Sequence, residues 1–133
     1  MTRAHDEEGV GLVALPWGVL AYLTFLMLAV QVAVHFYSTS IVTAVGYDAT
    51  RRAALAGADP ASIVDAERWL RSNIGPGLDI VTLRWSTTSE IVALDLVAKP
   101  PNVLIDASAL IGLRSIERRF EMRRELARFE GSP

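Results

Sequence analysis

The sequence predicts an α+β protein: a single N-terminal transmembrane helix extending into a long exposed helix, then a second helix packed on a small antiparallel β-sheet. Three observations predict it. Residues 9–47 contain no Asp, Glu, Lys or Arg. A Gly57-Ala58-Asp59-Pro60 break precedes a stretch with one apolar stripe. Two runs rich in β-formers then flank a short polar turn.

The first element rests on length. A helix needs roughly 20 apolar residues to cross a hydrocarbon core of about 30 Å, and residues 12–30 form the centre of a longer uncharged run. A soluble core helix would show a polar face, and this run has none before Gln31. A cleaved secretory signal would begin basic and have a shorter apolar core, but the first eight residues carry Asp6, Glu7 and Glu8 against Arg3. The reading is therefore a retained anchor. Arg3 on one side and Arg51 with Arg52 on the other do not orient it.

Within the span, Pro16 removes the donor that would reach the Leu12 carbonyl. Ala14 with Gly18, and Ala29 with Ala33, are small residues four apart, the spacing that lets a second helix approach closely in lipid. Gln31 and His35 share a face near the far end and are read, beside Tyr37, as polar tips at headgroup level.

Beyond Phe36 the apolar positions Ile41, Val45 and Ala49 keep a near-helical repeat, which predicts that the rod continues out of the membrane to about Gly57. Gly57 closes that helix, Asp59 caps the next and Pro60 suits its first position. Residues 61–73 then place Ile63, Ala66, Leu70 and Ile74 on one stripe with Trp69 alongside, and Gly75-Pro76-Gly77 ends it. Residues 78–85 and 90–98 form a hairpin around Ser86-Thr87-Thr88-Ser89. Period-two alternation puts Val81, Leu83 and Trp85 on one face of the first strand, and Val92, Leu94 and Leu96 on one face of the second. Lys99-Pro100-Pro101 stops the second strand. Residues 102–113 read as an apolar connection with room for a short helix, and residues 114–126 fit a strand or a helix equally on pattern. The organisation is thus a polar leader or tail over residues 1–9, a transmembrane helix over 10–36, its exposed continuation over 37–57 and a small α+β domain over 58–133.

The chemistry that this composition excludes is as informative. There is no cysteine, which removes disulfides, thiol catalysis and cysteine metal sites. The two histidines, His5 and His35, lie in the tail and at the membrane boundary, so a histidine triad in the domain is impossible. Neither a phosphate-binding glycine loop nor a metal-ligand spacing is present. Asp79 and Asp95, read as facing each other across the hairpin, are the nearest acid–base pair, and solvated strand carboxylates explain them without catalysis. From residue 48 onward twelve basic and twelve acidic residues balance, so no nucleic-acid partner is expected. The expectation is a non-enzymatic chain without catalytic residues, metal or cofactor.

The order of parts carries a resemblance. Gly9 follows charged residues, Leu12-Val13-Ala14-Leu15-Pro16 forms an aliphatic stretch ending in proline, Ala49-Thr50-Arg51-Arg52-Ala53-Ala54 matches a Gly-Ala-Arg-x-Ala-Ala element, and Met122-Arg123-Arg124-Glu125 matches a closing strand. Together these resemble the TadE-like family of tight-adherence (Flp-type) pilus assembly proteins. The resemblance implies a pilin-like fold, a cytoplasmic N-terminus, an extracytoplasmic domain, a β-strand over the arginine-rich segment, and a role as a minor pilin-like or assembly component. Its implied partners are membrane lipid and other pilus or envelope subunits, including a second copy of itself. Gly9 marks the processing position of such proteins, which usually carry a glutamate a few residues later. Val10 to Ala14 contain no acid here, and an uncleaved anchor fits this departure. Two other functions share the same architecture: an accessory subunit of another envelope complex, and a membrane-tethered domain with a small-ligand pocket between the hairpin and residues 102–113.

Overall fold

The computed structural model describes residues 7–101 and 115–124, with side chains from Ala14 onward. The order of elements is α1 (Glu7–Leu55), α2 (Pro60–Asn73), β1 (Asp79–Thr87), β2 (Ile91–Lys99) and β3 (Ile116–Arg123). The protein is α+β, as the sequence predicts, with a long first helix, a second helix and a three-stranded antiparallel sheet of order β1-β2-β3. The proposed connection over residues 102–113 lies outside the described residues, as does Glu125 of the closing motif.

At about 1.5 Å per residue, the 49 residues of α1 make a rod about 70 Å long. Pro16 sits inside it, and the helix continues through. Threonine is a weak helix former, yet Thr24, Thr39, Thr43 and Thr50 each donate their hydroxyl to the carbonyl four residues back at 2.8–2.9 Å. That back-bonding satisfies each hydroxyl inside its own helix, including Thr24 in the apolar run.

Gly57 and Ala58 take positive φ and turn the chain. The Asp59 side chain then accepts a hydrogen bond from the Ser62 amide at 2.8 Å and Pro60 opens α2, so the expected cap is present. Hydrogen bonding from the Ser62 side chain, then from its amide, holds the Asp59 carboxyl below its ordinary pKa. Ala66, Leu70 and Ile74 are buried and Ile63 and Trp69 half-buried, which is the predicted stripe.

The sheet lays one face on both helices. Leu94 lies between Trp85 and Phe120, Leu96 between Leu83 and Arg118, and Ala98 between Ile80 and Ile116. The core divides along α1. Val42 and Ala49 cluster with Leu70, Ile74, Leu94, Ala98 and Ile116, while Ala53 and Ala54 cluster with Ala58, Ala66 and Val92. Helix α2 therefore returns antiparallel to α1, and both loops at residues 74–78 and 99–101 sit at the end nearer the N-terminal half of α1.

Two expectations need correction. Val81 does not share the buried face of β1: the register shifts between Ile80 and Thr82, Ile80 turns in and Val81 is 62% exposed. An extra residue in one strand breaks the period-two alternation, a β-bulge. Asp79 and Asp95 do not face each other either, because Asp79 pairs with Lys99 and Asp95 with Arg84. Gln31 is fully buried and His35 half-buried within the chain. The segment that fitted helix or strand equally is a strand, β3, whose Ile116, Phe120 and Met122 lie opposite Ala98, Leu94 and Val92.

Candidate membrane-spanning and packing surface

The helix α1 changes surroundings along its length. Every residue from Ala14 to Val30 is exposed, among them Leu15, Trp17 and Phe25 at 67–71%. Val42, Ala49 and Ala53 on the same helix are fully buried against the sheet and α2. One helix is therefore long and apolar enough to cross a membrane, and almost none of its apolar part is covered by the rest of the chain. Trp17 and Tyr37 are twenty positions apart, about 30 Å along the axis, a distance close to the thickness of a bilayer's hydrocarbon core.

The four small residues singled out in the span are all exposed: Ala14, Gly18, Ala29 and Ala33. A Cβ added at Gly18 would meet nothing within 4 Å. At about 100° per residue these four fall within a sector about 100° wide, and Gln31, Ser38, Val42 and Ala49 fall in a narrower sector roughly 150° away. Gly9 lies in the first turns of α1.

A different small residue is used inside the molecule. A Cβ on Gly46 would overlap the Phe120 ring, with Cζ 2.6 Å away, so β3 can sit this close only over a glycine. Ala49, Thr50 and Ala53 continue that low surface toward the end of the helix. The sequence signal was available: Gly46 falls four residues after Val42 and three before Ala49, on the face that the sheet covers.

Arg124 joins three elements at the far end of the domain. Its guanidinium donates to the carbonyls of Thr88, at 3.0 Å, and Gly57, while its amide donates to the carbonyl of Glu90 at 2.7 Å. It ties β3 to the hairpin turn and to the close of α1. The sequence placed it in a mixed, solvated arginine run, where nothing separates a clamping arginine from its neighbours. Elsewhere charges pair on the surface: Arg119 contacts Asp95 at 3.3 Å and Glu121 at 2.7 Å, and Arg52 contacts Asp48 at 3.2 Å while stacking 4.2 Å over Trp69. Exposed pairs of this kind contribute little to stability.

Among the described residues no three His, Asp or Glu side chains gather to hold a metal. An open groove of about 200 Å³ runs between α1 and α2, lined by Arg52, Ala56, Ser62, Asp65, Ala66 and Trp69; the alternative pocket between the hairpin and residues 102–113 lies outside the described residues. Comparison with family models, with curated proteins and with solved structures finds no match for this chain.

Proposed function

We propose that this chain is a single-pass membrane protein, N-terminus cytoplasmic and domain extracytoplasmic, that serves without catalysis as a minor pilin-like or assembly component of a tight-adherence pilus. The observation that carries the reading is the division of α1 into a bare apolar half and a half built into a small αβ domain. Such a rod can hold neighbours laterally in lipid while presenting its domain to other subunits outside. The aliphatic stretch ending at Pro16, the Ala49-to-Ala54 element and the Met122-Arg123-Arg124 strand add the family resemblance. In this reading Ala14, Gly18, Ala29 and Ala33 form the face that meets a second helix, because small side chains let backbones approach where no hydrophobic force drives association.

Electron microscopy of surface fibres tests the role. Cells lacking only this gene are expected to lose fibres and to regain them on complementation; unchanged fibres in a fibre-forming strain would leave an accessory subunit of another envelope complex as the reading. The face has its own test. An Ala29→Leu, Ala33→Leu double variant is expected to accumulate normally and to lose co-purification with its partner subunit, and unchanged co-purification would remove the face from the proposal.

A further inference from the structure

The domain begins very close to the lipid. With the hydrocarbon boundary at Tyr37, Val42 is the first α1 residue in the sheet-packed core and stands about 7–8 Å further along the axis. The headgroup layer on each side of a bilayer is about 5–8 Å thick, half the difference between a 30 Å core and the 40–45 Å total. The end of the domain level with Val42 therefore meets headgroups. That end is identified by its packing, since Ile74, Ala98 and Ile116 cluster with Val42 whereas Val92 and Ala66 cluster with Ala53 and Ala54.

The chemistry of that end fits a lipid surface. The loop Gly75-Pro76-Gly77 is exposed and uncharged, and a Cβ on Gly77 would touch Pro101 at 3.8 Å, so the two loops make one continuous surface. Among the described residues its charges include Asp79 and Lys99, opposite each other in the sheet register, with Glu117 and Arg118 exposed further along β3. The bulge in edge strand β1 turns Val81 outward beside this surface, where it is 62% exposed. The opposite end is polar, with Ser86, Thr87, Thr88, Ser89 and Glu90 exposed. Pro101 and Ser115 both lie at the near end, beside the paired Ala98 and Ile116.

We propose that this end of the domain, Pro76, Gly77 and Pro101 with the outward Val81, rests on the phospholipid headgroup layer and fixes the pose of the domain over the membrane. This rests on the membrane-spanning reading of α1. A balanced surface of this kind needs no anionic lipid, so the contact forms on a zwitterionic bilayer as well.

The absence of cysteine makes the test direct. Single variants Pro76→Cys, Val81→Cys, Ser89→Cys and Phe25→Cys of the full chain, spin-labelled in phosphatidylcholine vesicles, are compared for collision with a water-soluble nickel complex and with oxygen. Pro76 and Val81 are both exposed, so each tolerates the label and each checks the other. The Phe25 label is expected to be shielded from nickel and open to oxygen, and the Ser89 label fully open to nickel. The Pro76 and Val81 labels are expected to lose nickel accessibility relative to Ser89. If both match Ser89 while Phe25 is shielded, the domain stands clear of the bilayer and the proposal is overturned. If Phe25 is open to nickel, the spanning helix itself is wrong and the proposal falls with it.

Discussion

Gly46 is where the long helix and the sheet come closest, and the Phe120 ring occupies the space a side chain would need. Two effects oppose each other in Gly46→Ala. Alanine gains about 1 kcal/mol of helix propensity over glycine, while overpacking a tight contact costs about 1–3 kcal/mol. Because the overlap is with a buried ring held between strand and helix, the clash wins, and a net loss of up to about 2 kcal/mol is expected. Chemical unfolding of the full chain in detergent measures it. Adding Phe120→Leu opens room for the methyl group, so the double variant should lose less than the sum of the single losses. A Gly46→Ala variant more stable than the parent would mean that the ring does not lie there. The sequence reading passed over Gly46 because it treated residues 37–57 as an exposed rod, in which a glycine only weakens a helix. The same helix face holds Ala49 and Ala53, and three small residues in register with Val42 mark a surface that something approaches closely.

At the scale of elements, the well-read parts are those whose signal is local. The α2 boundaries follow from Gly57, Asp59, Pro60 and the Gly75-Pro76-Gly77 stop, and each acts within a few residues. The cap also gives a pH prediction. The folded pKa of Asp59 is depressed by the Ser62 hydrogen bonds, so its contribution is fully present above the ordinary value of 3.8 and is lost as pH falls through the lower folded value. Amide exchange in the first turn of α2 should therefore rise in that acid window, and Asp59→Asn, which still accepts from the Ser62 amide, should flatten the dependence. An acid response unchanged in Asp59→Asn would assign it to other carboxylates. What was not legible is non-local. Nothing in the pattern of Ile80, Val81 and Thr82 announces the bulge that turns Val81 out and sets Asp79 against Lys99. Segment 116–123 was undecided because its alternation is interrupted by Arg118, which lies on the helix-facing side yet at the sheet edge, where its head group reaches solvent. Only its pairing with β2 makes it a strand.

For the whole molecule, the question is whether the anchor and the domain are one folding unit or two. Both apolar clusters draw on α1 only from Val42 onward, and every residue from Ala14 to Val30 is bare, so the span adds nothing to the core that residues 42–58 and the sheet already form. Yet Gln31 and Ser38 are buried on the helix face that continues the sheet-facing stripe, so the covered face reaches down into the apolar run. Two fragments separate these contributions. Residues 38–133 retain both clusters and lose the exposed apolar surface, so this fragment should be soluble without detergent and unfold cooperatively by near-ultraviolet circular dichroism. Residues 30–133 restore the Gln31 face and should unfold at a higher temperature, the difference being what that face contributes. If 38–133 has no fixed tertiary signal while 30–133 does, the domain cannot close without the lower face of α1. The anchor would then be structural as well as a tether, and a change in how α1 packs against another helix in lipid would reach the domain through Gln31 and Ser38 rather than stopping at the membrane surface.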